Sequence, residues 1–312
     1  MKLESLAKPQ RRPTFRGSPA DVALAGLRRR PGLQAGVMVA PAGFWFLFFL
    51  IIPLLMILAM SFATRSTYGG VDWKLGFHNY LRFLEPLYLQ ILVRSVELAF
   101  LTAIITLVIA YPLAYYIAGL PHQRRNLYLM LVVIPFWTNL LIRTYAWIVL
   151  LRGTGVINNV LMGLHIIDKP LSLLYTPLAV LLGLVYDYLP FMVLPLYASI
   201  EQMDRSLLEA AQDLGANSFW TFVKVVLPLT MPGIVAGSIL VLIPALGVFV
   251  IPNLMGGAKT VLIGNLIENQ FKMARNWPFG SAASMVLMAM AMIMILVYVR
   301  LVGFGGDQEA IL

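Results

Sequence analysis

Glu209-Ala210-Ala211-Gln212-Asp213-Leu214-Gly215 and, nine residues on, Val225-Val226-Leu227-Pro228 form a polar, amphipathic insert in a chain that is otherwise mostly apolar. Met203, Leu207, Ala211 and Leu214 recur at helical spacing and predict one apolar stripe. Ser206-Leu207-Leu208-Glu209 fits a capping box, with Asp204 as a second possible cap. Gly215 is a helix stop, because glycine takes a left-handed backbone cheaply. Asn217 or Ser218 can cap a second helix whose apolar face is Phe219, Phe222, Val223 and Val226, and Pro228 is expected to end it. The stretch therefore reads helix, glycine turn, helix. Isolated helices this short are marginal in water, so something must bury their stripes. Either the chain's own membrane helices do so, or the pair projects as a knob into a groove on a partner. The small side chains of Ala210 and Ala211 admit close approach and tilt the choice toward docking.

Outward from this insert the chain reads as membrane. Of its 312 residues 60% are hydrophobic and only 12% are charged, against about 25% charged in soluble domains. A helix needs about 20 apolar residues to cross the hydrocarbon core. By that rule the spans are expected near 36–62, 98–120, 127–151 (carrying Arg143), 171–200 (carrying Asp187), inside 227–257 from about Pro232, and 281–302. The expected fold class is an all-α polytopic membrane protein of about six transmembrane helices, with the helix-turn-helix loop facing the cytoplasm. Its organisation is a basic tail (1–35), a membrane domain (36–302) containing the loop (201–228), and a short C-terminal tail (303–312).

The net charge of +9 does not point to nucleic acid, because eight of the 23 Lys and Arg fall in the first thirty residues, just before an apolar run. That placement sets topology. It puts the N-terminus in the cytoplasm, and an even number of spans brings the C-terminus to the same side. The Arg124-Arg125 turn and the loop 201–228 then lie inside as well.

Enzymatic chemistry is missing. The chain has no cysteine, and its three histidines are far apart in sequence, so thiol catalysis and metal-ligand spacings are excluded. Gly256-Gly257-Ala258-Lys259-Thr260 lacks the phosphate-loop spacing. No cofactor is expected. One charge needs an explanation: Asp187 sits mid-span between Tyr186 and Tyr188. A carboxylate between aromatic faces can meet an ammonium group in transit. It can equally be half of a structural pair with Arg143.

The pattern Glu-Ala-Ala, three residues, Gly, nine residues, a branched apolar residue, one more, Leu-Pro resembles the EAA loop of permease subunits of ABC importers. It falls on Glu209, Ala210, Ala211, Gly215, Val225, Leu227 and Pro228, with valine where isoleucine is usual. Tyr111-Pro112-Leu113-Ala114, Arg143-Thr144-Tyr145-Ala146-Trp147 and Leu189-Pro190-Phe191-Met192 are similar to the spermidine/putrescine branch. Leu254-Met255-Gly256-Gly257-Ala258-Lys259, Leu262-Ile263-Gly264-Asn265 and Trp277-Pro278-Phe279-Gly280 resemble the first of that system's two permease subunits in particular. The resemblance covers roughly 36–302. It implies a bacterial inner-membrane importer subunit that forms half of a translocation path. It also implies three partners: a second, homologous permease, a pair of ABC ATPase subunits gripping the loop, and a soluble polyamine-binding protein outside. The same machine with another cargo (iron, sulfate or an opine) and, further off, an ion-coupled secondary transporter are the alternatives.

Overall fold

The computed structural model describes residues 31–66, 70–204 and 206–303. The basic cluster up to residue 30 and the tail from residue 304 lie outside them. Packing divides the chain into Met1–Met56 and Ile57–Leu312.

Helix α1 (Pro31–Ser61) already includes the last five residues of the expected tail. A proline opens it comfortably, since the missing N–H has no helical partner in the first turn. The helix is apolar on every side. Phe44, Trp45, Phe48 and Phe49 pack on one another at i and i+4, with Trp45 and Phe49 stacked at 5.4 Å.

Beyond it, a small hairpin, β1 (Thr64–Arg65) with β2 (Val71–Asp72), leads to α2 (His78–Phe83). Asn79 Nδ2 donates to the carbonyls of Ser61 (2.9 Å) and Ala63 (2.8 Å). It thereby satisfies acceptors that a helix end leaves open. Next come α3 (Pro86–Gly119), α4 (His122–Trp137), α5 (Leu140–Leu151), α6 (Val156–Gly163) and α7 (Pro177–Glu201). The insert is built from α8 (Ser206–Asp213) and α9 (Ser218–Leu229), and the chain continues through α10 (Met231–Gly247), α11 (Ile263–Lys272) and α12 (Trp277–Gly303).

The core lies where α3, α7 and α10 meet. Ala99, Ala103, Ala110 and Ala114 of α3 face Leu184, Met192, Val193 and Leu196 of α7, with Val241, Ala245 and Leu246 from α10. Lipid gives little hydrophobic drive between helices, so close contact must come from small residues. Gly233 and Gly237 supply it. A Cβ on Gly233 would lie 2.5 Å from Ser199 Cβ, and one on Gly237 would lie 2.7 Å from Met192 Sδ. A second cluster holds Phe83, Tyr88, Ile263, Leu266 and Phe279, with the Arg82 guanidinium 4.8 Å from the Phe279 ring centre.

Among the described residues five helical stretches are long and apolar enough to cross a bilayer: Val39–Ser61, Pro86–Gly119, Leu140–Gly163 (α5 and α6 taken together), Pro177–Glu201 and Trp277–Tyr298. The pair α9 and α10, bent by 64° at Thr230, makes a sixth when taken as one span. Three expectations need correction. The third span is not one helix over 127–151: α4 stops at Trp137 and α5 starts at Leu140. Pro135 removes an N–H near the end of α4, and the Asn139 side chain accepts the Leu141 N–H at 2.8 Å to begin the next helix. The fourth span starts at Pro177 and not near 171, because the Thr176 hydroxyl caps it by accepting the Ala179 N–H. Pro228 does not end the second loop helix. It lies inside α9, which runs on to Leu229 before the bend.

Candidate functional site

The insert begins where α7 ends, at Glu201. Asp204 Oδ1 accepts the Ser206 N–H at 2.9 Å and starts α8. That bond holds its carboxyl below the usual carboxylate range. Ser206 lies within the helix and not before it, so the capping role passes to Asp204, the second of the two caps expected. At the far end of α8 the Gly215 N–H meets Gln212 O (2.9 Å) and the Ala216 N–H meets Ala211 O (3.0 Å). These are the paired bonds of a Schellman stop, and Gly215 has φ +82°. No neighbouring atom would meet a Cβ there, so glycine is needed for its backbone alone. Asn217 Oδ1 accepts the Trp220 N–H at 2.9 Å and opens α9.

The two stripes fare differently. On α8, Glu209 and Ala210 are exposed, Ala211 is half-buried, and Leu207 and Leu214 are 44% and 89% exposed. No residue of α8 is buried. On α9 the expected face splits: Phe219 is 67% exposed, while Phe222 and Val223 are half-buried and Val226 is buried. A π-turn over Phe222–Val226 explains the split. Its wider turn rotates the rest of the helix, so a 3.6-residue period does not carry across it. Leu227 is half-buried against the core and Pro228 is exposed beside it.

The roots of the insert are tied to α3 (Tyr111) and to the start of α4 (Arg125). Phe222 stands edge-on to Tyr111 at 5.4 Å, and the Tyr111 and Thr230 hydroxyls are 2.8 Å apart. At the other root, the Arg125 guanidinium pairs with the Glu201 carboxylate. Sequence reasoning took Arg124-Arg125 only as a topology signal and missed these anchors.

In mid-span, Arg143 Nη2 lies 2.7 Å from Asp187 Oδ1, and both side chains are about nine-tenths buried. The Arg143 guanidinium also lies 5.4 Å from the Phe136 ring centre. Tyr186 meets Trp147 edge-on, and Tyr188 packs against Phe191. The two tyrosines are thus engaged elsewhere, and the carboxylate is met by a cation of this chain. A cavity of about 290 Å³ lies beside Arg143, Phe136 and Tyr186.

Residues 33–303 match the family described as binding-protein-dependent transport system inner membrane component. The chain belongs to that family. It is therefore a multi-pass inner-membrane component of a transport system. The spermidine/putrescine transport system permease protein PotB of Escherichia coli strain K12 is 48% identical over 256 residues, covering 82% of this chain and 93% of its own. The protein of the same name from Haemophilus influenzae is 47% identical, with 82% and 90% covered. A chain from the crystal structure of a bacterial alginate ABC transporter, in complex with an alginate pentasaccharide-bound periplasmic protein, superposes with a TM-score of 0.72. It is 21% identical, and the match spans 88% of this permease and 95% of that chain; at that identity the likeness concerns the fold.

Proposed function

We propose that this permease is the first of the two membrane subunits of an ATP-driven, binding-protein-dependent polyamine importer. The observation that carries the cargo is the 48% identity to a spermidine/putrescine permease along nearly its whole length. A soluble receptor delivers spermidine or putrescine from outside, a second homologous permease closes the path, and two ATPase subunits drive it.

Topology rests on the basic cluster before α1, which places both termini and the loop 201–228 in the cytoplasm. Glu209, Ala210, Ala211, Gly215, Leu227 and Pro228 then form the element that the ATPase grips. The exposed stripe of α8 supports this reading, because the chain itself leaves Leu207 and Leu214 uncovered. For Asp187, with Tyr186 and Tyr188, the Arg143 contact favours a structural clasp over a cation site on the path.

The cargo is tested on the receptor that docks with this permease. Saturable binding of spermidine or putrescine is expected. Selective binding of ferric iron, sulfate or an opine, with no polyamine competition, would move the machine to that cargo.

A further inference from the structure

Arg125, near the start of α4, joins that helix to the end of α3 and the end of α7. Its Nη2 donates to the carbonyls of Ala118 (3.2 Å) and Leu120 (3.3 Å) at the end of α3. Its Nη1 pairs with Glu201, the last residue of α7. Its guanidinium carbon lies 5.9 Å from the Tyr197 ring centre. The side chain is only 13% exposed. A carboxylate at the end of α7 faces the negative pole of its own helix, and the carbonyls of Ala118 and Leu120 stand at the negative pole of α3. One guanidinium meets both. At the other root of the insert, Thr230 and Phe222 are held by Tyr111, two helical turns before Ala118 on α3.

We propose that these two attachments make the cytoplasmic end of α3 and the loop 201–228 one moving body, with Arg125 and Tyr111 as positioning residues that carry loop displacement into the bundle. An insert fastened at only one root could swing without moving α3. Fastened at both, it cannot be pulled by a docked partner without taking α3 along, and α3 is packed through its alanines into α7 and α10. This rests on the loop being the coupling element.

The test is ATP hydrolysed per polyamine imported by the reconstituted complex, for Arg125→Met, Tyr111→Phe and both together. Each single change is expected to lower import per ATP severalfold, and the pair by about tenfold. Hydrolysis and yield of assembled complex should stay near wild type, which separates transmission from mere stability. Arg125→Lys keeps the charge but cannot span Glu201 and both carbonyls, so it should give an intermediate ratio even if the double variant assembles poorly. A wild-type ratio in Arg125→Lys and in the double variant overturns the proposal. If Glu209→Lys also leaves import unchanged, the coupling role of the loop fails with it. If Glu209→Lys stops import, only the two-root attachment fails.

Discussion

Replacing Glu209 with lysine should abolish ATP-driven import while the chain still inserts and assembles with its partner permease. Glu209 is exposed in the first turn of α8 and, among the described residues, forms no ion pair within this chain. Its loss therefore costs the fold little. At a docked surface the same change sets a cation where a carboxylate was received. Like-charge contact at an interface costs several kcal/mol, enough to lower import by about a hundredfold or more. Gly215→Pro should have a similar effect by a different route. Proline cannot adopt φ +82°, and it removes the N–H that bonds Gln212 O. The stop of α8 would be lost and its exposed stripe re-aimed. Membrane insertion, checked by protease protection, should be unchanged in both. Normal import by either assembled variant would mean that the loop is not what the ATPase grips.

The second large effect concerns stability. Arg143→Met leaves Asp187 buried without its cation, and breaking such a pair costs about 3–5 kcal/mol. The folded yield of the detergent-solubilised complex should collapse, or its unfolding temperature should fall sharply. The double variant Arg143→Met with Asp187→Leu removes both charges and should recover most of that loss, since apolar replacement of a buried pair is often neutral. The same double variant separates the two roles of Asp187. Wild-type polyamine import by the stable double variant makes the pair a clasp between α5 and α7. Lost import with stability intact would return Asp187, Tyr186 and Tyr188 to the translocation path.

Much of this architecture is visible in the chain itself, and for a clear reason. Charge-free runs such as 98–120 have few ways to exist other than in lipid, and α3 and α12 cover their expected runs, while α7 begins six residues late. Gly215 was legible because the left-handed backbone that closes a helix suits glycine far better than other residues. The two-residue break at Thr138 and Asn139 was not, because a hydropathy window averages across it. The π-turn at Phe222–Val226 was hidden for a related reason: side-chain periodicity assumes a constant turn, so Phe219 was grouped with residues it does not accompany. Asp187 was legible as costly and Arg143 as one candidate partner, but with the two on different spans the chain alone did not choose between that pair and a cation site. Arg125 was the hardest, because its carboxylate lies 76 residues away in sequence.

Across all of these details stands one physical claim: the greasy face of α8 is left bare because a motor outside this polypeptide covers it. Proteoliposomes test it most directly. With the full complex, receptor and internal ATP, spermidine should accumulate. With the two permeases and receptor but no ATPase subunits, it should not, whatever proton or sodium gradient is applied. Accumulation driven by an ion gradient in the absence of the ATPase would contradict the account.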